Sequence, residues 1–274
     1  MSFLEKHFVD YQGSTRGVGL MRIFIALALW SRWGAELAWY NAVAPDKIVL
    51  STVFWVTTTL MLFGVWSRLS TALTACTLWF MSQVYGLNWG VEAWTHHHTN
   101  LLVIGTTFLA MTDCGRSLSM DRAWALMQQS KGGPTPVAEW GSLLGARLIG
   151  LQISTLYLWS AWDKTSWDFI SGGRLENLFL YYYWPQWPAT PLVHEGFVFS
   201  SVFVVAAELV LPIVLWMPSQ LKWALPFVFV FHGMLYLALP VNTFTVTMYV
   251  LMLAFVPPAW VHDGLDQMLG REPS

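Results

Sequence analysis

Residues 196–217 read GFVFSSVFVVAAELVLPIVLWM, an apolar run of 22 residues in which Glu208 is the one acidic or basic side chain. A helix needs about 20 mainly apolar residues to cross a bilayer, and this run supplies them. Seven further runs extend the pattern. They cover about Val18–Trp39, Ile48–Val65, Leu69–Leu87, His98–Thr112, Leu143–Trp162, Leu221–Leu239 and Thr243–Val256. The last two are coupled through Pro240, Val241 and Asn242. The pattern predicts an all-α fold, a polytopic transmembrane helical bundle of about eight spans.

Composition points the same way. Of the 274 residues, 55% are hydrophobic and 11% charged, with a mean hydropathy of +0.49. A soluble domain carries about 25% charged residues, so this chain cannot cover a soluble surface of its size. Eighteen tryptophans suit the membrane–water interface, where the indole ring is apolar and its N–H stays wet. The net charge of −2 gives no basis for nucleic-acid binding. Cys76 and Cys114 have no redox or metal spacing. Met1–Thr15 is polar and aromatic, without the core or cleavage site of a signal peptide.

The expected organisation is a cytoplasmic N-terminal segment at 1–16, a transmembrane domain at 17–258 and a cytoplasmic tail at 259–274. Two connections are long. Asp113–Trp140 is polar and holds Lys131-Gly132-Gly133-Pro134, a flexible loop signature. Ser166–Glu195 holds the aromatic and proline-rich stretch Tyr181–Pro188, expected at the membrane interface. Eight spans place Lys6, Arg16, Arg68, Arg116, Arg122, Lys131, Lys222 and Arg271 on one side, against Lys47, Lys164 and Arg174 on the other. That bias predicts both termini in the cytoplasm.

Ionisable groups inside spans cost at least about 2.5–3.5 kcal/mol near a helix centre, so each needs a reason. Arg32 and Glu36 lie four apart and are expected to pair. Arg22 and Arg147, in the first turns of their spans, are expected to snorkel to the interface. In His96-His97-His98, adjacent positions do not share a face. At most two of them can bind one ion, so a metal site on His96 and His98 is the weaker reading. A polar cluster with His98 turned inward is the stronger one. Lys164 ends the fifth span beside Asp163, which is expected to balance its charge. The alternative is a dry pocket in which the amine serves as a base. Glu208 and His232 lie mid-span, too deep to snorkel. They are read either as interhelical hydrogen bonds, worth roughly 0.6 kcal/mol on average, or as a pocket lining.

An ordered set of features then resembles the HTTM family, the membrane domain shared with vitamin K-dependent γ-glutamyl carboxylase. Leu20-Met21-Arg22-Ile23 opens the first span, and a histidine precedes the fourth. Asp113 and Ser119-Met120-Asp121 follow. Leu151-Gln152 leads through Tyr157 to Lys164-Thr165-Ser166-Trp167 and Gly172. Glu208 with Pro212, Phe231-His232 and Pro257-Pro258 complete the series. The resemblance runs from about Gly17 to Pro258. The sequence departs from the pattern at Thr165, where the family has Leu, at Asp163, and in the short spacing from Lys164 to Trp167.

The resemblance implies a quinol-dependent oxidase or epoxidase acting on a peptide or small substrate at the extracytoplasmic face of a bacterial inner membrane. Lys164 would be the general base and His98 its assistant. His232, Glu208, Trp162 and Trp167 would hold a reduced quinone, either menaquinone or vitamin K hydroquinone. The carboxylase's extracytoplasmic region has no counterpart after Pro258, so peptide-glutamate carboxylation is not expected. The alternative is a non-catalytic membrane subunit, or a peptide maturation or export accessory, that binds lipid or a partner through Ser166–Glu195. A transporter ranks last, because the sequence has no inverted repeat and no ring of like charges.

Overall fold

The computed structural model describes residues 10–39, 44–88, 97–182, 184–188, 190–238 and 242–270. The described chain is helical apart from two short strands, β1 (Gln12–Ser14) and β2 (Trp140–Ser142), which pair antiparallel with Gly13 opposite Gly141. The helices are α1 (Arg16–Trp33), α2 (Pro45–Phe63), α3 (Ser67–Met81), α4 (His97–Ala110), α5 (Met120–Ser130), α6 (Leu144–Asp163), α7 (Trp167–Ile170), α8 (Gly173–Tyr182), α9 (Pro191–Val214), α10 (Leu221–Ala238), α11 (Asn242–Leu251) and α12 (Pro258–Met268). A π-helical segment, Ser82–Asn88, continues α3, and a 3-10 turn, Met252–Ala254, follows α11.

Each run read from the sequence contains a helix, but the spanning criterion is met less often than expected. Among the described residues, α2 and α9 are long and apolar enough to cross a membrane. A third candidate is a broken one: Thr243–Ala254 and Pro258–Met268 pass together but are bent by 99°. Among the described residues two or three such spans are found, fewer than the eight expected from the sequence. The reasons are local. α3 and α4 have 15 and 14 residues. α1 carries Arg16, Arg22 and Arg32, and α6 carries Arg147, Gln152 and Asp163. The 99° bend falls at Pro257-Pro258, where proline fixes φ and restricts the residue before it.

The long connections are more ordered than their composition suggested. Asp113–Trp140 contains α5, and Ser166–Glu195 contains α7, α8 and the start of α9. The first turns of the 259–274 tail belong to α12. Lys6, His96, Pro240, Val241, Arg271 and most of Met1–Thr15 lie outside the described residues, as does Tyr183 of the aromatic stretch.

The chain forms two compact units, 1–150 with 246–274, and 151–245. The boundary falls within α6. In the first unit α1, α2, α3 and α4 pack as successive neighbours. Met21, Ile25, Leu29 and Trp33 of α1 are fully buried, as are Phe54, Met61 and Leu78 from α2 and α3. Buried threonines return their hydroxyls to the carbonyls four residues back, as Thr71 does to Ser67 and Thr74 to Ser70.

Arg22 does not snorkel. It has no exposed surface, and its guanidinium donates to Ser67 Oγ at 3.1 Å and to the carbonyl of Leu118. Leu118 holds a left-handed φ of 52°, a conformation that costs roughly 1–2 kcal/mol. Gly64, at φ 67°, leaves room for the guanidinium, since a Cβ there would overlap Arg22 Nη1. Asp121 completes the group. It accepts from the backbone N–H groups of Trp66 and Ser67, capping α3, and from Ser67 Oγ. Arg147 is partly buried, its guanidinium 3.6 Å from the ring centre of Tyr11.

A second polar cluster ties α12 to the start of α1. Arg16 pairs with Glu139 at 3.0 Å and Asp266 at 2.8 Å. His262 reaches Asp266 at 3.3 Å through Nε2 and Ser14 Oγ at 3.0 Å through Nδ1. The predicted Arg32–Glu36 pair is present at 3.2 Å, near the surface.

Gly64→Ala is expected to destabilise the protein by several kcal/mol, because a strained φ is joined by a clash with a buried charge. Gly132→Ala is the matched control. It has φ 87° and open space around it, so it should cost only about 1–2 kcal/mol. Thermal unfolding of both variants in detergent checks the difference.

Candidate functional site

The second unit, by itself, contains α7, α8, α9 and α10, with the C-terminal part of α6. Ser154, Tyr157, Ser160 and Lys164 recur along α6 and its last turn at spacings of three, three and four. Such spacing puts them on one face of a helix. Apolar residues surround this stripe in sequence, so its polar groups must be answered by other helices.

Each is. The Lys164 ammonium pairs with both carboxylate oxygens of Glu208 on α9, at 3.0 and 2.9 Å. Ser160 Oγ donates to Glu208 Oε1 at 3.0 Å and lies against Lys164 Nζ. The Lys164 side chain is 24% exposed and that of Glu208 8%, so the pair is more accessible on the lysine side. The Nζ atom also lies 5.9 Å from the ring centre of Phe169 on α7. Two turns earlier on α6, Tyr157 Oη and His232 Nε2 are 2.7 Å apart, with both residues buried. Phe231 and Phe244 flank the His232 ring, at centroid distances of 5.4 and 5.6 Å. Ser154 accepts from Trp216 Nε1 at 2.8 Å.

Sequence reasoning selected Lys164, Glu208 and His232 separately. The structure brings Lys164 and Glu208 into direct contact and joins His232 to Tyr157. The expected partner of Lys164 was Asp163. The partner found is Glu208, 44 positions away in sequence. Asp163 and Lys164 are consecutive, so a helix turns them to different sides. Trp162 and Trp167 are 72% and 80% exposed and lie two positions before and three after the lysine in sequence. His98 is the second residue of α4, partly buried, and belongs to the first unit rather than to that of Lys164.

Two participants, Ser160 and Tyr157, were missed as site residues. Their signal was the polar stripe itself. Hydroxyl-bearing residues at helical spacing in an apolar run, in register with a lysine, mark a face that meets other polar groups. Among the described residues, no three His, Cys, Asp or Glu side chains are grouped to hold a metal ion, and His96 lies outside those residues.

The geometry offers a charged pair at a helix end, one member accessible, with a hydroxyl between its partners. It can hold a proton, exchange it between amine and carboxylate, and present a hydrogen-bonding edge to a neutral polar group beside aromatic rings. No family model matches the chain, and comparison with curated proteins and with solved structures also finds no match.

Removing one partner of the pair strands a charge. Lys164→Met and Glu208→Gln are each expected to lose about 3–5 kcal/mol of stability, whereas Lys164→Met with Glu208→Met should recover most of it. A double-mutant cycle on thermal stability in detergent measures the coupling.

Proposed function

We propose that this chain is a multi-pass membrane protein of the HTTM kind that carries out quinol-dependent chemistry, with the Lys164–Glu208 pair as its proton-handling group. The observation that carries the reading is the pair itself. Two opposite charges are held between α9 and the end of α6 where an apolar pair would cost far less to bury, and the lysine keeps a path to the surface. A lysine that serves as a base must first release its own proton. Glu208 is in contact to receive it, with Ser160 hydrogen-bonded to the same carboxylate oxygen.

The residues present suit a reduced quinone such as menaquinone. The carboxylate and amine match a phenolic hydroxyl, and Phe169, Trp162 and Trp167 supply aromatic surface around the end of α6. A quinol, when bound, supplies two reducing electrons and acidic hydroxyl groups. The chain's own side chains would orient that hydroxyl, accept its proton at Lys164 or Glu208, and keep bulk water from the carboxylate. His232 with Tyr157 would polarise the deeper part of the same helix face. In this reading about eight helices cross a bacterial inner membrane, both termini are cytoplasmic, and Lys164 works near the opposite face on a peptide or small substrate.

A second reading rests on a different observation. Phe179, Trp184 and Trp187 form a ring cluster with centroid distances of 5.8–6.4 Å, while Tyr181, Trp184 and Trp187 remain exposed. An exposed aromatic surface of this kind suits a partner subunit or lipid, and the Lys164–Glu208 pair would then be only a helix pin.

The test uses purified protein with reduced menaquinone and oxygen, following quinone or epoxide formation. Wild-type turnover is expected, and Lys164→Ala should lose about 10²–10⁴-fold, the usual contribution of a general base. Equal turnover in Lys164→Ala would remove its assigned role. A stoichiometric partner that co-purifies in mild detergent, with no turnover in any variant, would favour the second reading.

A further inference from the structure

Helix α5 is built unlike its neighbours in the first unit. Eleven residues long, it buries none of its side chains. Met120, Trp124 and Met127 recur at i, i+4 and i+7, so they share one face, and all three are exposed, Trp124 by 62%. Leu118 just before the helix, and Trp66 and Leu69 at the start of α3, add exposed apolar surface. A soluble surface would not display such a stripe without a partner.

The position of α5 is fixed rather than loose. Ser119 caps it by accepting from Arg122 N at 2.9 Å. Asp121 in its first turn is bound to the N-terminus of α3. Between these two helix starts lies a cleft of about 550 Å³, with Trp66, Arg68 and Leu69 on the α3 side and Asp113, Arg116 and Asp121 opposite. The charges around the cleft and helix are unequal. Arg68 and Arg116 line the cleft with Asp113 and Asp121, and α5 with its C-cap adds Arg122, whose guanidinium donates to the carbonyl of Val137, and Lys131. Asp113 is engaged by Arg116 at 3.0 Å and Arg68 at 4.0 Å, and Asp121 by the α3 cap. Arg68 stays 65% exposed.

We propose that α5 lies in the plane of the membrane as an interfacial helix, and that the Arg68–Arg116 cleft beside it takes the phosphate of an anionic phospholipid. An amphipathic helix with apolar residues on one face and a cationic surround buries the first in the acyl boundary and sets the second among headgroups. Charge decides the kind of lipid. Each Lys or Arg near an anionic surface is worth about 1 kcal/mol, roughly fivefold in affinity. Arginine also meets a phosphate with a fork of paired donors. All four cations fall on the side that the charge bias assigns to the cytoplasm, where anionic lipid faces them. The inference rests on the membrane-spanning part of the reading above and is independent of quinol chemistry.

The test uses the full chain, reconstituted into vesicles of phosphatidylcholine with or without phosphatidylglycerol. Cys76 is exposed and would be changed to Ser. Cys114 is buried, and burial pushes its thiol pKa up, so it should stay unlabelled. A polarity-sensitive NBD fluorophore is attached at Met127→Cys and, as a control, at Phe203→Cys on α9. The Met127 label is expected to shift to the blue when phosphatidylglycerol is included, approaching the Phe203 label. Arg68→Gln with Arg116→Gln should raise the phosphatidylglycerol needed for half the shift by roughly twentyfold or more. An aqueous spectrum at Met127 beside a buried Phe203 label overturns the proposal while leaving the span intact. An aqueous Phe203 label overturns the membrane-spanning reading itself. A Met127 shift that follows protein concentration rather than lipid composition assigns the face to a second copy and also overturns the proposal.

Discussion

An ionised side chain taken out of water must be answered within the protein, and that constraint organises each compact unit of this chain. An unpaired charge in an apolar interior costs several kcal/mol or more. Two charges carry most of the consequence. Arg22, with no exposed surface, draws in Ser67 and the Leu118 carbonyl, and Gly64 leaves it room. Lys164 draws in Glu208 and Ser160. Around Arg22 the backbone is held where it would not otherwise rest. Trp66 and Leu118 keep left-handed φ angles, and Asp121 caps α3 across a gap of more than 50 residues.

The two clusters differ in what they can do. The Arg22 group is closed: it is enclosed by α1, the start of α3 and the segment before α5, and its geometry serves architecture. The Lys164 group is open on one side, because its amine sits at the end of α6 rather than within it. A charged pair with one exposed member can exchange protons or bind a polar edge, while a closed one can only hold. That asymmetry is why the functional reading settles on Lys164 and Glu208 rather than on the more deeply buried arginine.

The sequence made several of these residues visible and hid others. Glu208 and His232 stood out because each interrupts a long apolar run, and Lys164 because it ends one. Ser160 and Tyr157 did not, since hydroxyl groups are common in apolar helices and can return to their own backbone, as Thr71 and Thr74 do. Arg22 was visible but misjudged. Its place near a span end suggested snorkelling, yet the acceptors that keep it inside come from Ser67 and Leu118, 45 and 96 positions away. The polar Asp113–Trp140 connection, which holds Lys131-Gly132-Gly133-Pro134, hides helix α5 among loop signals, although Ser119, Asp121 and the Met120, Trp124, Met127 spacing are present in it.

By itself the sequence determined the helical class, the rough position of each apolar helix and the short list of ionisable groups that need partners. Periodicity, apolar content and charge scarcity act locally, so they can be read along the chain. Tertiary structure decided which groups meet. Lys164 finds Glu208 rather than the adjacent Asp163 because consecutive residues on a helix point to different sides, and only packing brings α9 against the end of α6. The bend of 99° at Pro257-Pro258 breaks the last apolar run for a backbone reason, and the ion pairs of Arg16 with Glu139 and Asp266 tie α12 to the start of α1. Partners so far apart in sequence are selected by the free energy of burying charge, which no local pattern encodes.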